Sequence, residues 1–370
     1  MKRATFFLSA LVLLAVSCTK TEVVNQDEQK RGIGFSAYAS RTTKAAQVDV
    51  TASNLNSFKV TAIGNEGIYF NDETFSKNGG VWESTTPHFW PAYSLTFCAY
   101  NEPDPNNGVV TKDITVNGQT LTVTPSHSLA DQEDLVAAYA DNKIESDAAS
   151  GSLLLTFNHI LTQVVVKAKN SSATYTVVVD EAKLANLAGS GTYTFSNNIM
   201  AADESLKNSA SSTDYFTSSF TPKTLDGEAQ EVMTNAGNGK WYLIPQSVTA
   251  WKRGIDASDE MTNASNGTYL ALKVKITKGS NKIYPVSGDQ SGWMAVPVPT
   301  DLKFEQGKKY TVTIDFFGNN GAGYVDQESP SDLDGVGDAT SDKGKKIIGG
   351  VIKFRADVNN WGDSEITIKL

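Results

Sequence analysis

The sequence predicts an all-β protein of two tandem β-sandwich domains, and three observations lead there. The chain has 370 residues, enough for two cores, since single domains usually run ~100–200 residues. It is rich in Thr, Ser, Val, Asn and Gly, residues that favour short strands and turns over helices. Its apolar runs are short, closely spaced and broken by Gly, Asn, Asp and Pro, which leaves no room for the crossover helices of a parallel sheet. Formal net charge is −9, and no Lys/Arg cluster is present to replace the counterions of a phosphate backbone. Nucleic acid is therefore not an expected partner.

The N-terminus has the three parts of an export signal. Lys2 and Arg3 precede the apolar run FFLSALVLLAV (residues 6–16), and small Ser17 follows. That run is shorter than the ~20 apolar residues of a bilayer span, and no later run reaches that length. LLAVSC resembles a bacterial lipoprotein box, in which a cysteine is diacylated and becomes the new N-terminus. Ala15 stands where Leu is commoner, with Leu13 and Leu14 just upstream. Lipidation of Cys18, closing a signal peptide over residues 1–18, is the expectation. Cys98 is the only other thiol, so an acylated Cys18 leaves no intramolecular disulfide and stability must come from the cores. In SLTFCAY, Cys98 reads as a small buried hydrophobe.

Residues 19–31, TKTEVVNQDEQKR, are polar and without period, as in a tether. GIGFSAY (residues 32–38) then alternates Ile33, Phe35 and Ala37 with smaller or polar residues, giving a strand with one apolar face. Small, polar and basic ASRTTKAAQ follows, so residues 19–44 form tether, first strand and loop. Over residues 45–155 the runs FKVTAI, GIYF, VWE, HFWP, YSLTFCAY, DITV, QTLTVTP and DLVAAYA predict a first sandwich. Asn117-Gly118 between DITV and QTLTVTP is a strong hairpin signal. LLLTFNHILTQVVVKAK begins a second series, continued by TYTVVVDEAKL, GTYTF, WYLIPQSV, TYLALKVKIT, KIYPVSG, WMAVPV and KKYTVTIDFF. These predict a second sandwich over residues 156–350.

Its last part, residues 318–350, is Gly- and Asp-rich and reads as a long exposed loop. Tested as an EF-type calcium loop, Asp332 and Asp334 fit the first two oxygen positions. Val336 then stands at position 5, Gly337 at 6 and Lys343 at 12, where a bidentate carboxylate is needed. With Asp338 and Asp342 the stretch reads as a solvated acidic loop and no metal site is assigned, an ad hoc calcium site being the alternative. Residues 351–370 hold two further strand patterns. Ile352, Phe354, Ala356 and Val358 alternate with charged residues, as do Ile366, Ile368 and Leu370 with Thr367 and Lys369. Each run must bury one face.

Catalytic patterns are missing. His88, His127 and His159 have no metal-ligand spacing, and His159 in FNHILTQ reads as a structural histidine. No Gly-x-Ser-x-Gly elbow or phosphate-binding Gly-x-x-x-x-Gly-Lys loop occurs, and Cys98 has no signature of a Cys–His pair. Neither enzyme activity nor a cofactor is expected. HFWPAY, with Phe89, Trp90 and Tyr93, could be a glycan-stacking platform if exposed, and so could Trp251 or Trp293; in a sandwich such residues more often cap the core.

Several blocks in order along the chain resemble the fimbrillin family, the lipoprotein-derived type V pilins. They are the box at Cys18, GIGFSAY with the basic segment Arg41 to Lys44, HFWPAYSLTFCAYNEP, and Asp134 to Ala138. Phe157-Asn158-His159, Trp241 to Gln246, Phe304 to Tyr310 and the terminal IKFRADVNNW complete the set; Asn101-Glu102 stands before the proline of the third block. The resemblance implies two transthyretin-like sandwich domains in a subunit that polymerises by strand exchange. A lipid-anchored precursor at the outer membrane is cut by a trypsin-like protease, its first strand leaves, and a neighbour's C-terminal segment fills the groove.

On that scheme Ile33, Phe35 and Ala37 belong to the displaced strand. Arg41 is the cleavage position, with Lys44 and Arg31 weaker; a cut at Arg31 would leave the groove filled. The donor is drawn from Ile352, Phe354, Ala356, Val358, Ile366, Ile368 and Leu370. VIKFRADV through Trp361 can equally be the last strand of the second domain, with EITIKL alone free. Implied partners are other pilin subunits, the outer membrane through the lipid, and the processing protease. The alternative is a surface or tip adhesin lipoprotein that binds a glycan or host ligand and never polymerises.

Overall fold

The computed structural model describes residues 31–39, 49–51, 53–102, 108–114, 119–148, 151–196, 206–208, 214–233, 239–251, 267–285, 290–319, 321–325, 346–348, 352–361 and 368–369. Its first part is β1 (Phe35–Ala39), β2 (Ser57–Gly64), β3 (Gly67–Asn78), β4 (Val81–Ser84) and β5 (Leu95–Tyr100). The hairpin β6 (Gly108–Ile114) and β7 (Gln119–Pro125) then leaves this part, and the chain returns through β8 (Val136–Lys143) and β9 (Leu153–His159). Seven strands close into a barrel in the order β1-β4-β3-β2-β5-β8-β9. Period-two alternation sends Phe58, Val60 and Ala62 of β2, and Leu153, Leu155 and Phe157 of β9, into one core. Lys59 and the exposed Leu154 face outward from the same strands.

The second part comprises β10 (Thr162–Asn170), β11 (Thr176–Leu187), β12 (Gly191–Thr194), β13 (Leu206–Asn208), β14 (Asp214–Thr224), β15 (Gln230–Glu231), β16 (Trp241–Leu243) and β17 (Gln246–Ser247). It continues with β18 (Tyr269–Lys278), β19 (Asn281–Tyr284), β20 (Gly292–Pro297), β21 (Lys303–Phe304), β22 (Lys308–Phe316), β23 (Tyr324–Val325), β24 (Lys353–Asn360) and β25 (Ile368–Lys369). One sheet runs β15-β10-β22-β24-β25 with β16 also on β10; the other runs β14-β11-β18-β20-β23 with β19 on β18. Val164 and Val166, Val177 and Val179, Leu270 and Leu272, Val312 and Ile314 fill a single core from both sheets, as in a sandwich. The run DYFTSSFTPKT, too Ser/Thr-rich to read as a strand, is β14. It lies at a sheet edge, where Pro222 withholds no ladder donor that a partner needs.

The two parts are not divided at residue 155, which lies inside β9; the turn between them is Ile160–Leu161. The hairpin β6–β7 also crosses over. It pairs from Gly108↔Pro125 to Ile114↔Gln119, and β7 then pairs with β12 of the second part. A third core joins the parts, made of Cys98, Tyr100, Leu121, Val123, Leu135, Ile160, Tyr193, Tyr242, Ile244 and Trp361. Cys98 is fully buried there, and burial pushes its thiol up to about 12. It packs as a hydrophobe.

Candidate functional site: the first strand and the two chain ends

β1 is the stave that closes the barrel. It runs parallel to β9 over five register pairs, Phe35↔Leu153 to Ala39↔Phe157, and meets β4 at Phe35↔Trp82. Upstream, Gly32 bridges Phe89, the Ile33 amide donates to the His88 carbonyl at 2.7 Å, and the Trp90 amide donates to the Arg31 carbonyl at 3.2 Å. Gly34 suits this entry because a Cβ there would come within 3.1 Å of Val81 Cγ1.

The apolar face of β1 faces inward as the alternation predicts. Phe35 is 0% exposed and Ile33 5%, and Ala37 packs partly buried on the same core. The Phe35 ring meets Phe75 at 4.8 Å, Phe97 at 5.3 Å and Phe58 at 6.1 Å, edge to face. Without β1, the edges of β4 and β9 would lose their partner and the floor formed by Phe58, Phe75, Phe97 and Phe157 would open to water. Such a slot accepts another extended segment with alternating apolar side chains.

Arg31 lies just before β1, exposed, with its Nε 3.5 Å from Glu145 Oε1. Cys18, Arg41, Lys44 and the acidic residues Asp332, Asp334, Asp338 and Asp342 lie outside the described residues. Among the described residues, no group of three or more His, Cys, Asp or Glu side chains is arranged to hold a metal ion.

The first C-terminal run belongs to its own subunit. β24 pairs antiparallel with β22 over eight register pairs, Lys308↔Asn360 to Asp315↔Lys353. Ile352 and Ala356 are buried in the second core, and Phe354 and Val358 pack against it. β25 adds two pairs, Asp357↔Lys369 and Val358↔Ile368; Ile366 and Leu370 lie outside the described residues. The chain's own fold therefore already buries two of the seven residues offered as donors and packs two more, partly buried, against the same core.

The aromatic platform is corrected by burial. Trp90, Trp251 and Trp293 are 4%, 2% and 5% exposed, so none can stack on a sugar. Of the aromatic side chains in HFWPAY only Phe89 is exposed; its carbonyl accepts the Tyr69 hydroxyl at 2.6 Å.

The blocks at Asp134, His159, Tyr242, Gly307 and Trp361, far apart in sequence, meet at the junction of the two parts. His159 Nδ1 lies 2.9 Å from Asp134 Oδ2, and its ring stacks on Trp361 at 4.0 Å and 8°. Tyr242 stacks on Trp361 from 5.4 Å at 13°, and the Trp361 amide donates to the Gly307 carbonyl at 2.9 Å. Asp49 joins them, its Oδ1 accepting from the Tyr242 hydroxyl (2.9 Å), Gln163 Nε2 (2.8 Å) and Lys240 Nζ (2.8 Å). Burial raises the Asp134 carboxyl above the ordinary range, against the pull of His159. Burial and then the carboxylates of Asp134 and Asp49 lift the Tyr242 phenol well above its usual value. The part played by Asp49 and Lys240 was not legible in the sequence, since neither belongs to a patterned run.

These features define a class: an all-β protein whose first strand completes a barrel and whose last strands sit at the edge of a second sheet. The fimbrillin-like family model matches residues 21–325, and the chain belongs to that family of cell-surface fimbrial proteins. Among solved structures, a fimbrial protein from Bacteroides vulgatus is 16% identical with a TM-score of 0.51, covering 90% of this chain and 99% of its own. A fimbrilin from Porphyromonas gingivalis is 12% identical with a TM-score of 0.45, covering 77% and 89%. The fimbrial anchor protein Mfa2 of the same species is 11% identical with a TM-score of 0.34, covering 90% and 98%. Among curated proteins none matches the chain.

Proposed function

We propose that this protein is a structural pilin subunit, exported as a precursor lipidated at Cys18 and held at the outer membrane. A trypsin-like protease cuts at Arg41, β1 leaves, and the C-terminal segment of a neighbouring subunit fills the vacated slot. The observation that carries this reading is β1 itself. It is a five-residue strand, the first among the described residues, its Phe35 is the hub of an aromatic core, and its removal would break no covalent link between other strands. Lys44 serves the same purpose as Arg41. A cut at Arg31 would leave β1 joined to β2 and the slot filled.

The burial of Ile352 and Ala356 in the subunit's own core favours β24 as a resident strand. EITIKL is then the donated portion, with Ile366, Ile368 and Leu370 as its apolar teeth; among the described residues Ile368 pairs with Val358 and Lys369 with Asp357. Burying three such side chains offers about 1.5–3 kcal/mol each, and a new backbone ladder adds to that. Treating purified precursor with trypsin should release one N-terminal peptide ending at residue 41 or 44 and convert monomer into ladders. A clipped protein that remains monomeric at high concentration would refute the reading.

A second reading rests on the pairing of both C-terminal runs within the chain. In it the subunit is a tip or surface adhesin that binds a glycan or host ligand and donates no strand. The same trypsin experiment separates them, because an adhesin of this kind gives a clip without a ladder.

A further inference from the structure

We infer that the buried network around Asp49 and Asp134 is a two-ended clamp. It fixes the first residues that proteolysis leaves in place and the residue that follows β24, so that N-terminal shortening stops at Asp49 and the segment that the pilin reading donates begins after Trp361. The inference rests on the pilin reading for its use, but the clamp itself can be tested without polymerisation.

The N-terminal end is held through both backbone and side chain. The Val50 amide donates to Asp134 Oδ2 at 2.7 Å, and Asn54 Nδ2 donates to the Asp49 carbonyl at 2.8 Å. Asp49 Oδ1 takes three donors, from Lys240, Gln163 and Tyr242, all belonging to the second part of the molecule. These groups lie away from water: the side chains of Asp134, Lys240 and Asp49 are 0%, 7% and 14% exposed. Two carboxylates so placed are held only by facing cations and donors. Just beyond, the Leu55 amide donates to the Thr51 carbonyl, and the Leu55 carbonyl accepts Trp82 Nε1 at 3.2 Å. The segment from Asp49 to Leu55 therefore ties into the barrel on one side and the second part on the other, without using β1.

The C-terminal end is held by the same groups. Trp361 lies between the rings of His159, which contacts Asp134, and Tyr242, which donates to Asp49. Tyr242 thus touches both ends of the processed chain. Its position is set in turn by Gln132, which accepts the Tyr242 amide at 2.7 Å and donates to the Tyr242 carbonyl at 3.2 Å. Loss of β1 removes none of these contacts, and movement of the chain beyond Trp361 removes none either. The subunit can exchange a strand at each end while its two parts stay joined.

The test uses the full chain with a site for a sequence-specific protease inserted between residues 41 and 44, so that it does not depend on the native protease. After cutting, an aminopeptidase trims from the new N-terminus and mass spectrometry reads where trimming halts. The clamp predicts a halt at or before Asp49. In Asp49→Ala trimming passes Val50 at least tenfold faster, while Asp49→Asn, which keeps the acceptor for Tyr242 and Gln163, sits between. Trimming that passes Val50 in the natural sequence, or at equal rates in all three proteins, overturns the clamp. A halt at Asp49 in a protein that forms no ladder would sink the pilin reading and leave the clamp standing.

Discussion

If β1 is a temporary occupant, Phe35→Ala should destabilise the precursor and leave the processed subunit untouched, because the processed chain no longer contains residue 35. Phe35 is fully buried and meets three aromatic rings within 6.1 Å. Truncating such a phenylalanine to alanine costs about 3–5 kcal/mol in lost transfer energy and cavity. For a cooperative unit of this size that corresponds to a fall in melting temperature of about 10 °C. It would also weaken retention of β1 after cutting by ~100-fold or more, at 1.4 kcal/mol per factor of ten. Thermal melts followed by circular dichroism, on precursor and on cut protein purified from the released peptide, give both numbers. A precursor that melts within 1–2 °C of the parent would refute the wedge role of Phe35. Equal shifts in precursor and processed protein would show that β1 never leaves.

Further outcomes follow from the same geometry. Cys98, raised by burial to about 12 from 9.0, should react with iodoacetamide at pH 8 about 1,000-fold more slowly in folded than in unfolded protein. Because its folded value is the higher one, its contribution to stability is complete below pH 9.0 and is lost as pH rises towards 12, a slope that Cys98→Ala should remove. Trp361→Ala should cost about 3–5 kcal/mol in chemical denaturation, in precursor and processed protein alike. A disulfide between cysteines at Thr313 and Arg355, which face each other across β22 and β24, should leave assembly of the cut subunit intact. Failure to assemble only when oxidised would make β24 the donor.

The all-β class and most strands were legible because alternation and turn residues report local geometry directly. The inward faces of Ile33 and Phe35 followed from that period alone. Long-range choices were not legible. Nothing local says that β1 will pair parallel with β9, or that the β6–β7 hairpin will leave its neighbours for β12. β14 escaped because Ser and Thr dominate a strand with one buried aromatic, Phe216. The junction network was half visible: His159 read as a structural histidine, but its partner carboxylate and the Asp49–Lys240 pair come from separate segments that only the fold brings together. The tryptophans of the possible platform read in sequence as more often capping the core, and all three are buried. Which surface each one covers was not legible: Trp251 packs against Tyr269 at 6.0 Å, a partner 18 residues away in the chain.

Strand exchange is tested most directly by one comparison: cut precursor with its full C-terminus against cut precursor lacking residues 362–370, each at matched high concentration and read on a denaturing gel without heating. Strand exchange by the terminal segment predicts a ladder from the first and monomer from the second, with equal melting temperatures before cutting. Ladders of equal length from both, or none from either, would contradict it.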